Sequence, residues 1–216
     1  MPNWCSTTYR FRGTKNELEL LNGKIKEWTS GSTMTTDFGD SWLGNIVIGA
    51  GFKDRIDNED PSLIIRCRGT LTDIGDVEGD GENCSLDLWT ETAWVPMGIM
   101  WQYVIKTLGL NTVGFTFEAE EPGCELYWIY DPNDYGDFLN EEVYIDSFGD
   151  NEVDKLSGYY TRDIAIRILN DFFHTTLEKL EDFYPLCNQY NDNWDDIYDD
   201  WYINIHEFEI IKTLRD

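Results

Sequence analysis

The sequence predicts an α+β fold in which an antiparallel sheet hides one face under helices. Three observations carry this. Stretches of strand-like alternation and of helical periodicity follow one another in the order strand, helix, strand, strand, helix, strand. Aromatic residues make up 15% of the 216 residues, including nine Trp, twelve Tyr and eleven Phe, enough to build a packed core. No apolar run approaches the roughly 18–20 residues that a membrane-spanning helix needs.

Residues 4–12 alternate around Tyr9 and Phe11 and end at Gly13, as a strand does. Thr14 and Glu17 then form a capping box. Leu18, Leu21, Ile25 and Trp28 recur at three- and four-residue spacing, which predicts an amphipathic helix. Residues 31–60 read as a long inserted loop with one short apolar piece at 45–48. Residues 63–71 predict a second strand, 73–83 an acidic turn, and 85–92 a third strand paired as a hairpin. Pro96 suits the first turn of a second helix, and Gly109 suits its end. Residues 113–118 predict the fourth strand. The order is that of the ferredoxin-like split βαβ arrangement. Further strands are expected at 124–130 and 142–145. A long helix is expected at 161–180 and a final strand at 203–211, while 183–201 gives no clear pattern. The organisation read from this is a core over 1–150, then an acidic helical extension over 151–216 packed on the same domain.

Forty-two acids against sixteen bases give a net charge of −26. Such a chain lacks the basic face that displaces counterions from nucleic acid or docks on anionic lipid. The charge is uneven: residues 1–117 carry sixteen acids and ten bases, residues 118–216 twenty-six and six. The densest stretch, Trp194-Asp195-Asp196-Ile197-Tyr198-Asp199-Asp200-Trp201, interleaves acids with aromatic rings. Two readings stand. Carboxylates on a rigid fold can occupy a basic site on a partner, one that itself binds nucleic acid. A solvated acidic face can equally serve solubility. Trp94, Trp194 and Trp201 fall outside regular alternation and suit a protein interface. Trp4, Trp42, Trp89, Trp101 and Trp128 suit core packing.

Two loops have calcium-like spacing. Asp76, Glu78 and Asp80 stand at positions 1, 3 and 5 before Gly81, with Asp87 at position 12. Asp131 and Asn133 stand at positions 1 and 3 before Gly136, with Glu142 at position 12 and Tyr135 where a fifth-position ligand is wanted. Both loops lie between strands rather than helices, and Asp, Asn and Gly also make ordinary turns. A calcium- or small-ligand-binding protein is therefore an alternative.

The two histidines, His174 and His206, belong to no metal-ligand motif, and no nucleophile elbow or Walker loop occurs. A carboxylate-dependent hydrolase is a weaker alternative, because with so many acids no single pair is informative. No cofactor and no catalytic residue is expected. The five cysteines form no C-x-x-C pair and read as small buried hydrophobes in a reduced, cytoplasmic setting. The N-terminus has no signal-peptide pattern.

The opening Met1-Pro2-Asn3-Trp4-Cys5-Ser6, followed by a strand and Gly13, resembles the start of the YubB-type, or Api-like, proteins encoded by phages, plasmids and other mobile elements. Thr92-Ala93-Trp94-Val95-Pro96 is similar to that family's T-x-W-x-P-P segment, with Met97 in place of the second proline. Phe117-Glu118 and Gly123 match the strand and turn that follow. The similarity spans about 130 of the first 150 residues at the level of pattern, and the C-terminal third does not map onto it. It implies a ferredoxin-like domain in a phage or bacterial mobile element, and no known activity. Together these readings lead to a non-catalytic protein-interaction module.

Overall fold

A computed structural model describes residues 3–31, 38–194 and 201–214. They form a mixed α+β structure with five α-helices among the described residues. The chain divides into two compact units, residues 1–135 with 210–216, and residues 136–209.

In the first unit β1 (Trp4–Gly13) lies centrally in an antiparallel sheet, paired on one side with β4 (Asn83–Ala93) and on the other with β5 (Gly114–Glu121). β2 (Gly69–Ile74) flanks β4, and the short β3 (Glu78–Asp80) pairs with the start of β4. β6 (Leu126–Tyr130) flanks β5. The last strand of the chain, β10 (Glu209–Ile211), returns to this sheet beside β6, where the Asp131 N–H donates to the Ile211 carbonyl (3.2 Å).

Period-two alternation in β1 sends Cys5, Thr7, Tyr9 and Phe11 inward. The register sets Tyr9 opposite Leu88 and Phe117, and Phe11 opposite Leu86 and Phe115. Trp101, fully buried, meets Phe11 edge-on at 5.3 Å between ring centroids. Trp101 belongs to α3 (Gly98–Leu108), which ends where Gly109 takes a left-handed φ of 68°. Helix α1 (Lys15–Trp28) buries the expected Leu18, Leu21, Ile25 and Trp28. The 31–60 insertion contains a helix of its own, α2 (Leu43–Gly49), built on the apolar piece. A Cβ at Gly49 would stand 2.4 Å from the Trp28 indole, so only glycine permits this approach.

In the second unit β7 (Val143–Phe148) pairs antiparallel with β8 (Gly158–Tyr160) and with β9 (Tyr202–Glu207). Helices α4 (Arg162–Phe173) and α5 (Tyr184–Trp194) belong to the same unit. Its core gathers Val143, Ile145, Leu169, Leu180, Phe183, Cys187 and Ile203.

Several expectations are corrected. The predicted 161–180 helix stops at Phe173, and His174 takes a left-handed φ of 53°. The cause is Asn170: its side chain accepts from the Leu177 N–H (2.7 Å) and donates to the Leu177 carbonyl (2.8 Å), holding the chain in a turn. Leu177 and Leu180 still pack inward, but from outside the helix. The patternless 183–201 stretch begins with α5. The predicted strand 203–211 is two strands in two sheets, interrupted at Phe208, whose N–H bonds the Glu142 carbonyl (2.9 Å). The strand expected at 63–71 joins the ladder only at Gly69. Residues 64–68 run alongside, with the Ile65 N–H bonded to the Arg55 carbonyl (2.8 Å). Pro96 precedes α3, whose N-cap is Met97. Thr14 is the N-cap of α1 without a side-chain cap bond: its hydroxyl accepts from the Thr112 hydroxyl (3.3 Å), and Glu17 reaches the N–H groups of Asn111 (3.1 Å) and Thr112 (2.8 Å). Cys5, Cys67, Cys84 and Cys187 are buried as expected, but Cys124 is exposed.

Candidate functional site

In the second unit the charge concentrates. Residues 136–209 hold nineteen acids against four bases. Asp163 and Asp171 lie eight residues apart on α4, two turns along one exposed face, with Arg167 between them. Glu178, Glu181, Asp182 and Asp192 are also exposed. Asp195, Asp196, Asp199 and Asp200 lie outside the described residues. Trp194 ends α5, and Trp201, half-buried, precedes β9.

Three polar clasps hold this unit together. Asn170 forms the turn already described. Asn191 on α5 repeats the device on β9: its amide donates to the Ile203 carbonyl (3.3 Å), and its carbonyl accepts from the Ile203 N–H (2.8 Å). The Glu207 carboxylate receives both the Arg162 guanidinium and the Tyr184 hydroxyl. Burial, with Glu207 beside it, pushes the Tyr184 phenol well above its ordinary range, so it serves as a donor rather than a base.

The calcium-like loops are engaged in local structure. Glu78 and Asp80 lie on the exposed β3, and Asp80 pairs with Asn83 across a turn. The Asp76 carboxylate receives Lys26 (3.4 Å). Asp87 is held bidentate by Arg10 (2.7 and 2.8 Å). Asp131 is buried and accepts from the Tyr135 N–H (2.9 Å), while the Asn133 amide donates to the Tyr135 hydroxyl (3.4 Å). Glu142 belongs to the second unit. Among the described residues no three His, Cys, Asp or Glu side chains gather to hold a metal ion. The fully buried acids among them are Glu121 and Asp131, and each caps a local turn, Glu121 through the Gly123 N–H (3.0 Å).

The first unit holds a feature the sequence reading did not assemble: a groove of about 970 Å³ at one end of the sheet. Three neighbouring strands place its parts. Trp4 at the start of β1 stands opposite Ala93 at the end of β4, and the Ala93 N–H bonds the Arg68 carbonyl (2.9 Å) just before β2. Ile65, Cys67 and Met97 are buried along it. Burial pushes the Cys67 thiol up to about 11, so it stays protonated and inert at neutral pH. At the rim Trp4 is 49% exposed, Trp94 45% and Phe38 70%. Phe38 lies against Trp42 at 4.6 Å.

Trp94 carries a second cost. Its φ is 68°, in the left-handed region where a bulky residue is strained by about 1–2 kcal/mol. Hydrogen bonds on both sides enforce it: the Trp94 N–H to the Asn3 carbonyl (3.0 Å), and the Thr92 hydroxyl to the Val95 carbonyl (2.8 Å). The Arg68 guanidinium lies over the indole, 5.0 Å from the ring centroid. The sequence signal that was available is Trp94 itself, standing outside the strand alternation. Set against known proteins, the chain matches no family model, no curated protein and no solved structure.

Proposed function

We propose that the protein is a non-catalytic interaction module whose acidic second unit engages a basic protein, in the cytoplasm of a host carrying a phage or other mobile element. The observation that carries this is the sorting of charge by unit: nineteen acids and four bases lie in residues 136–209, with Asp163, Asp171, Glu178, Glu181, Asp182 and Asp192 all exposed. Fields of one sign steer partners of the other and accelerate their encounter. The resemblance at residues 1–6 and 92–96 supports the mobile-element setting. The neighbour order β5, β1, β4, β2, with every pairing antiparallel and with α1 and α3 on the crossovers, supports a ferredoxin-like core in the first unit.

The test immobilises the full chain beside a variant carrying Asp163→Asn, Asp171→Asn, Glu181→Gln, Asp182→Asn, Asp195→Asn, Asp196→Asn, Asp199→Asn and Asp200→Asn. A basic protein retained by the wild type, released by a rising salt gradient and not held by the variant, is the expected result. Retention that is insensitive to salt and equal on both chains refutes the reading.

A further inference from the structure

The groove of the first unit has the chemistry of a ring-plus-anion site, and its features are costly to maintain without a ligand. A folded chain gains nothing in stability from leaving nearly half of Trp94 in water while forcing its backbone into the left-handed region. Such outliers persist where the surroundings over-determine them, and they cluster at binding sites. Here the surroundings are the Asn3 and Val95 hydrogen bonds, which present the indole beside Trp4.

Charge points the same way. Acids outnumber bases forty-two to sixteen, yet Arg66 and Arg68 form no ion pair with any carboxylate among the described residues. Both are exposed, two positions apart, with Ile65 and Cys67 alternating inward between and beside them. Arginines at i and i+2 of an extended segment, both lining the groove, can converge on a phosphate, and the Arg68 guanidinium is already stacked on Trp94. Among the described residues, Asp57 is the one acid lining the groove. It can accept from a ribose hydroxyl or an exocyclic amine.

Backbone pairing argues against a peptide strand as occupant. The Ile65 N–H is bonded to Arg55, the Arg68 carbonyl to Ala93 and the Leu71 N–H to Ser41, while Thr70 bridges Trp42. What the groove offers is therefore side-chain chemistry: exposed indoles to stack a flat ring, and guanidiniums for an anion. A volume of about 970 Å³ admits a small ligand. We infer that this groove binds a nucleotide, its base stacked on the exposed indole of Trp4 or Trp94 and its phosphate held by Arg66 and Arg68. The net charge of −26 favours a mono- or dinucleotide over a long strand, whose many phosphates the protein's field repels.

Calorimetry on the full chain tests this with AMP, GMP, CMP and UMP, the matching nucleosides, the linear dinucleotide pApA and a twelve-residue single-stranded DNA. At least one nucleotide should bind, with its nucleoside at least tenfold weaker. Arg66→Gln with Arg68→Gln should weaken binding at least tenfold. Trp94→Gly, which suits the left-handed backbone and so keeps the fold, should do the same while circular dichroism and melting stay native. Tighter binding of pApA or a mononucleotide than of the twelve-mer assigns a free nucleotide, and the reverse assigns a strand. No heat with any probe at millimolar concentration overturns the inference. So does binding that is unchanged in both variants.

Discussion

Among the described residues, the first unit buries twenty-eight in one core, whereas the second gathers ten around a three-stranded sheet. The first stacks aromatic rings, with Tyr9, Phe11, Phe115, Phe117 and Trp101 in mutual contact. The second has a smaller ring cluster, Phe172, Phe173, Phe183 and Tyr190, and adds polar clasps: Asn170 and Asn191 each satisfy both backbone groups of one residue outside their helix, and Glu207 gathers an arginine and a tyrosine. It also carries nineteen acids against four bases, so like charges oppose its compaction. With a small core and a repelling surface, each directional hydrogen bond is a larger share of what holds the second unit than the comparable bonds of Glu17 or Asn45 are of the first.

The sharpest way to break this contrast is to damage the larger core. Trp101→Ala removes a fully buried ring at its centre and should cost about 3–5 kcal/mol in denaturant unfolding. A much smaller loss would mean that the aromatic cluster is not what holds the first unit. The matching change in the second unit is Asn170→Ala. It strands the Leu177 N–H and carbonyl, and should cost about 1–3 kcal/mol, with faster amide exchange confined to residues 136–209. Exchange rising equally in both units would erase the distinction.

Salt offers a gentler probe. Raising ionic strength from 0.01 to 0.15 M shortens the screening length from about 30 Å to about 8 Å. Amide protection should then rise more in residues 136–209 than in 1–135. The smallest effect expected belongs to Glu17. Hydrogen bonds from the Thr112 hydroxyl first, and then from the Thr112 and Asn111 N–H groups, hold its carboxyl below the usual range. A carboxyl lowered in the folded state stabilises above its unfolded value, and that contribution fades as pH falls through the folded one. Thr112→Val should therefore be less stable than wild type at pH 7, and the two should converge in an acid titration. A constant gap across the titration would assign the loss to packing.

The elements legible in the sequence are those whose residues announce their own partners. Leu18, Leu21, Ile25 and Trp28 define a helix face by spacing alone, and Gly109 marks a helix end by its backbone freedom. What stayed hidden depends on side chains that reach beyond their own element. Asn170 ends α4 by reaching Leu177, against a hydrophobic stripe that runs on to Leu180. Glu17 reads as half of a local capping box, yet bonds residues ninety-odd positions away. The groove was hidden for the same reason. Trp94 stood out singly, but its assembly with Trp4 and Arg68 follows from the pairing of β1, β4 and the segment leading to β2.

The return of β10 to the first sheet makes the second unit an insertion between two pieces of the first. During synthesis, β1 to β6 leave the ribosome before the strand that completes their sheet exists. The edge of β6 therefore stays open until residues 136–209 have been made. Closing so long an intervening loop costs only about 0.6 kcal/mol more per doubling of its length, so the delay matters more for timing than for final stability. The insertion also has a practical consequence. Truncation at residue 135 removes β10 from its sheet along with the second unit. Replacing 136–209 by a short linker keeps both pieces of the first, and is the form in which its groove can be studied alone.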